Sequence, residues 1–174
     1  RETNKSIVFF LHYEYDRLKY KDMHSDRLNK VRDLWIFQAS CGLSFCDMVN
    51  LSQDDIQTSP DGLKYITKER CKTGVKYTSV LLQDAIEILE KYNWKLPLLS
   101  NQRYNSYLQE CIDIACINKH ITTHTARHQY ATRLLASGIP ITTIQHCLGH
   151  SSVLVTQKYY AALQDETIIR EIKN

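Results

Sequence analysis

Two histidines, an arginine and a tyrosine stand at intervals that suit chemistry on a phosphodiester. In His124-Thr125-Ala126-Arg127 a helix would place the imidazole and the guanidinium on one face, with Cβ atoms about 5–6 Å apart. A guanidinium forks onto two phosphate oxygens, and an imidazole beside it can donate a hydrogen bond or move a proton. A solvent-facing pair at a helix N-terminus has the same spacing. Leu148-Gly149-His150 follows, and Tyr159 and Tyr160 come nine and ten residues after that histidine. A histidine just past a glycine helix stop sits at an exposed corner. A helical tyrosine by itself is usually packing.

Lys64, Lys68, Arg70, Lys72 and Lys76 fall within thirteen residues, opposed there only by Glu69. Such clustering describes a hairpin that faces DNA phosphates, with Lys72 beside the turn, and equally a lysine-guarded sheet edge. The pairs His124/His128 and His146/His150 stand four apart, an interval at which helical histidines share a metal ion. The first pair encloses Arg127, whose charge opposes a cation, and lacks the glutamate of a zinc protease motif. Neither a metal nor another cofactor is therefore expected.

The elements that must position these groups are legible in outline. With 174 residues, 43% hydrophobic and 24% charged, 5 Gly and 3 Pro, the composition is globular and excludes collagen-like and low-complexity chains. One domain is the natural expectation at this length. A net charge of +3 is too small to identify a nucleic-acid binder by total charge. No long uncharged apolar run or signal-peptide pattern is present, and six cysteines without CxxC spacing read as reduced, buried thiols. The expected setting is the cytoplasm, with no membrane partner.

Periodicity predicts mainly α structure with a small antiparallel β-sheet, an α+β fold. An ill-defined helix falls within the first twenty residues. A better one runs from Ser25 through Leu28, Val31, Leu34, Trp35 and Ala39 to Gly42. Ser44-Phe45-Cys46-Asp47 has capping-box spacing and opens a short helix to Leu51. About three strands follow, around residues 55–57, 63–67 and 77–82, with a turn at Pro60-Asp61-Gly62. Helices then occupy 84–92, 100–117, 123–137 and the stretch between Pro140 and Gly149, with a last one over 153–163.

Taken together, His124-Thr-Ala-Arg127-His128, the run Gly138 to His150 and Thr156-Gln157-Lys158-Tyr159 resemble the catalytic domain of tyrosine recombinases, the family of phage and mobile-element integrases. The likeness extends from about Ser25 to Leu163, leaving residues 164–174 as a tail whose Ile168, Ile169 and Ile172 suit exchange between protomers. The additional N-terminal core-binding domain of family members is not expected in this chain. The resemblance implies double-stranded DNA as partner, a homo-tetramer on DNA in a bacterial cell, and an accessory DNA-bending protein in some systems. It implies cleavage through a 3′-phosphotyrosine link without metal or ATP.

Residue by residue, the resemblance makes Tyr159 the nucleophile, Arg127 the second active-site arginine, His124 and His150 its histidines and Lys72 the hairpin lysine, with Lys64, Lys68, Arg70 and Lys76 on DNA. Ser44 stands where the family usually has its first arginine. Its loss resembles the conjugative and mobilisable-element branch and leaves open which cation replaces it. The rival reading is a noncatalytic DNA-binding module, since Ala131 to Gly149 resembles a helix-turn-helix.

Overall fold

A computed structural model describes residues 7–150 and 152–173, and side chains among these except at 153, 160 and 166–173. Eight helices are defined among the described residues: α1 (His12–Tyr20), α2 (Asp26–Gln38), α3 (Phe45–Val49), α4 (Gln83–Lys91), α5 (Asn101–Ile114), α6 (Thr123–Ala136), α7 (Ile141–Leu148) and α8 (Val153–Lys173). Between α3 and α4 lies an antiparallel sheet in the order β1 (Ile56–Thr58), β2 (Lys64–Glu69), β3 (Lys76–Val80). Its register pairs Ile56 with Ile66 and Ile66 with Ser79. The α+β class expected from periodicity is the one observed.

Helix α2 is the centre of the molecule because its apolar residues go nearly all the way round: Leu28, Val31, Leu34, Trp35, Ile36 and Phe37 are all buried, and the helix touches α1, α4, α5 and α6. Each such side chain removed from water contributes roughly 1.5–3 kcal/mol. A smaller cluster, Tyr130, Ala131, Leu134, Ile144, Leu148 and Tyr159, joins α6, α7 and α8. The candidate nucleophile thus belongs to the packing that fixes the last two helices.

The predicted ends shift in informative ways. Helix α2 stops at Gln38 and the chain turns through 39–43 before α3. Gln38, fully buried, holds that turn: its amide donates to Leu43 O, and its carbonyl oxygen accepts from Tyr104 and Thr123. Thr122 rather than Thr123 is the N-cap of α6, and its N–H goes to the Thr125 hydroxyl. Helix α8 runs ten residues beyond Leu163, while the side chains of Ile168, Ile169 and Ile172 lie outside those described. All six cysteines are free, but only Cys41 and Cys111 are buried; Cys147 is half-buried and Cys46, Cys71 and Cys116 are exposed, so the expectation of buried thiols is corrected for these four. No helix among the described residues is long and apolar enough to cross a membrane.

Gly42 has φ +72°, and a Cβ there would overlap the Tyr130 ring, reaching 2.9 Å from Cε1. Its carbonyl also accepts from Arg127. Left-handed strain and overpacking together make Gly42→Ala about 3 kcal/mol less stable, measurable as a lower urea midpoint.

Candidate active site

Arg127 leaves the first turns of α6 and is only 4% exposed. Its guanidinium donates to Gly42 O at 2.6 Å through Nη1 and to Leu148 O at 2.8 Å through Nη2. Two chain reversals, one after α2 and one at the end of α7, therefore hold one cation between them. Among the described residues two of its five N–H donors are spent on the protein, leaving three for an anion. Burial, then repulsion from Arg70, lowers its pKa to about 10, with Tyr159 and Asp47 acting the other way. It stays charged at neutral pH.

The second guanidinium in the site belongs to Arg70, just past the end of β2. Nη1 donates to the same Leu148 carbonyl at 2.9 Å, and Nε pairs with Asp47 at 2.8 Å. Asp47 is 3% exposed. Burial alone would raise its carboxyl pKa, but the Cys71 N–H, the Ser44 hydroxyl and Arg70 overcome this and pull it below the ordinary range. Ser44 is the N-cap its spacing predicts: Oγ accepts from Asp47 N at 3.2 Å and donates to Asp47 Oδ2 at 2.7 Å. Ser44 thus helps to aim the carboxylate that holds Arg70.

The five cations of the hairpin have different surroundings. Lys68 is tied to Asp55 at 2.8 Å and to Asn50 O. Lys64 donates to Thr58 Oγ1 and lies 5.7 Å from the centre of the Trp94 ring. Arg70 turns inward as described. Lys72 and Lys76 are exposed, and Lys72, in the turn, is near enough to His124 to act on its charge.

The remaining groups gather around Tyr159, which is 5% exposed. The His150 ring lies parallel to its ring, 7° apart in plane with centroids 6.2 Å apart, and His128 meets it edge-on at 5.2 Å. His124, exposed at the rim, touches His128 at 4.8 Å. His150 is aimed by α7 and α8: Gly149, at φ +65°, closes α7 where a Cβ would press 2.9 Å against Arg70 Cγ. His150 Nδ1 lies 3.0 Å from Thr156 Oγ1. Burial raises the Tyr159 hydroxyl pKa, while Arg127 and Arg70 pull it down.

Burial, reinforced by nearby positive charge, lowers both His128 and His150 to about 4, and His124 is lowered for the same reasons. At neutral pH the positive charge facing Tyr159 is that of guanidiniums, not imidazoliums. Linkage gives the sign of the consequence. Above pH 6.5 His128 and His150 are neutral folded and unfolded, and their contribution is complete. As pH falls toward 4 the unfolded chain takes up protons first, and stability drops by on the order of 2 kcal/mol per histidine. Thermal unfolding of the DNA-free protein should show a lower Tm at pH 5 than at pH 7.5, a difference reduced in His128→Gln.

The structure thus brings Arg127, His150, His124 and Tyr159 together within one chain and leaves Lys72 at the rim. Arg70, Asp47 and Thr156 join them. Asp47 had a local signal in its capping-box spacing. No local pattern signals its pairing with Arg70, which is 23 residues away.

A profile of the phage integrase family matches residues 14–166. Tyrosine recombinase XerD of Corynebacterium glutamicum is 29% identical over 145 residues, which cover 75% of this chain and 47% of that protein. XerH site-specific recombinase bound to palindromic difH substrate, in a post-cleavage complex, superposes with a TM-score of 0.74 at 18% identity, over 99% of this chain and 55% of that one. The Tn1549 transposon integrase in complex with a circular intermediate DNA gives a TM-score of 0.71 at 16% identity, over 95% of this chain and 66% of that one. The chain spans about half the length of the curated relative. With the family profile covering most of its length and the fold shared with recombinase catalytic domains, the chain belongs to the phage integrase family of tyrosine recombinases.

Proposed function

We propose that this chain is the strand-cutting domain of a DNA recombinase of a mobile element, acting on double-stranded DNA through a 3′-phosphotyrosine intermediate for integration or excision. The observation that carries this reading is the burial of Tyr159 against two histidine rings, within the field of the two guanidiniums that share Leu148 O. Forming a phenolate from a pKa near 10 costs about 4 kcal/mol at pH 7. Burial of Tyr159 adds to that cost, Arg127 and Arg70 offset part of it, and the donors they leave free among the described residues suit the nonbridging oxygens of an attacked phosphate.

Tyr159 attacks in line, the P–O5′ bond breaks, and the 5′-oxygen departs with a proton that Lys72 supplies from the hairpin turn. Attack by a 5′-hydroxyl of another strand reverses the step, so the bond energy is kept without nucleotide. In this reading Arg70 takes the part of the arginine missing at Ser44, and the loss at Ser44 supports the conjugative or mobilisable-element branch. Strand exchange uses a homo-tetramer on DNA, with the tail after Leu163 passing to a neighbouring protomer and a DNA-bending protein assisting.

A nicked suicide substrate tests the reading. The nick lets a short fragment diffuse away after cleavage, so a protein–DNA adduct should accumulate on denaturing gels, undiminished by chelator. DNA binding without any adduct would instead identify a noncatalytic helix-turn-helix module.

A further inference from the structure

We propose that Thr156 is a positioning residue that fixes His150 in the tautomer with its hydrogen on Nε2, so that His150 serves as a hydrogen-bond donor to the phosphate and not as the acceptor of the Tyr159 proton. The inference rests on the strand-cutting reading for its role, but its chemistry stands on local geometry.

Thr156 lies on α8 one helical turn before Tyr159 and is fully buried. A threonine hydroxyl has one hydrogen to give and two lone pairs. A hydroxyl shut away from water must place that hydrogen on an acceptor or forfeit its hydration. For Thr156 Oγ1 the partner among the described residues is His150 Nδ1, at 3.0 Å. If Nδ1 carried the hydrogen, the threonine O–H would be left buried without an acceptor among the described residues. If Nδ1 is the acceptor, both groups are satisfied, and the hydrogen of the neutral ring resides on Nε2. The neutral form is the relevant one, because burial and the two guanidiniums hold His150 at about 4.

The rest of the residue is fixed as firmly. His150 N–H donates to Gln145 O at 3.1 Å, and the Gln145 side-chain amide donates to His150 O at 3.2 Å. A flip of the ring, which lies parallel to that of Tyr159, would put Cδ2 where Nδ1 now stands and break the contact with Thr156. Which nitrogen bears the proton is set by the hydrogen bond of the other. The consequence is a division of labour: His150 gives a hydrogen bond to a phosphate oxygen, and the phenol proton passes to solvent water as the phenolate forms.

The test is a long-range ¹H–¹⁵N correlation spectrum of the histidine-labelled 174-residue chain at pH 7, with His150 assigned by its loss in His150→Gln. The expected result is the Nε2–H pattern in the unaltered chain and in Thr156→Ser, and a mixed pattern in Thr156→Val. On the nicked substrate Thr156→Val should cleave about tenfold more slowly, the worth of one hydrogen bond, and Thr156→Ser should recover most of the rate. An Nδ1–H pattern in the unaltered chain would overturn the proposal even if the valine variant fails to fold. An unchanged tautomer and rate in folded Thr156→Val would do the same. The spectrum reads the tautomer without any cleavage, so failure of this inference is distinguishable from failure of the strand-cutting reading.

Discussion

Arg70→Ala should lower the rate of adduct formation by about 10²–10³-fold, the usual loss when a preorganised donor to a developing charge is removed. Under the proposed function the effect should fall mainly on cleavage, because Arg127 and its anchors on Gly42 O and Leu148 O remain. Arg70→Lys should recover little: an ammonium can meet either Asp47 or a phosphate but lacks the fork that now meets Asp47 and Leu148 O together. The alanine variant leaves Asp47 buried without its cation, and an uncompensated buried charge costs about 3–5 kcal/mol. The double variant Asp47→Asn with Arg70→Ala removes that penalty. If the folded double variant cleaves as poorly as Arg70→Ala, the guanidinium acts on the phosphate; recovery of the rate would reduce Arg70 to a structural strut. Lys68→Ala is the control within the same strand, since Lys68 is engaged by Asp55, and it should change the rate less than about threefold.

Tyr159→Phe should abolish the adduct altogether, because it removes the hydroxyl that the proposed mechanism joins to the phosphate. The ring stays, so the packing of Tyr159 against Leu148, Ile144 and Tyr130 in the α6–α8 cluster is kept and the protein should fold. A nucleophile one residue on would need α8 to turn by about 100°, which would draw Tyr159 out of that cluster. Tyr160→Phe should therefore retain the adduct within a few-fold. Loss of the adduct in Tyr160→Phe alone would reverse the assignment.

What could be read from the sequence was local. Leu28, Val31, Leu34 and Trp35 recur at helical intervals, and Ser44 stands three residues before Asp47, so α2 and the start of α3 were legible. Gly149 at a helix stop, with φ +65°, belongs to the same class. Arg70 shows where this kind of reading ends. It sits among lysines whose charges look alike in sequence, yet its partners are Asp47 and Leu148, 23 and 78 residues away. Only the packing of β2–β3 against the end of α7 separates it from Lys68. The fold also decided that Arg127 meets Gly42 O, since Gly42 approaches Tyr130 closely enough to exclude any side chain. Thr156 looked like part of a motif leading to Tyr159; its contact with His150 needs the turn through Gly149 that brings α8 back across the end of α7.

The central claim is that the hydroxyl of Tyr159 becomes joined to the 3′-phosphate of a cut DNA strand. Mass spectrometry of the adduct isolated from the nicked substrate, after nuclease and protease digestion, tests it most directly. The prediction is a single modified peptide whose nucleotide remnant maps to Tyr159. A remnant on Tyr160 or on any other residue, or a DNA-bound protein that carries no remnant at all, would contradict it.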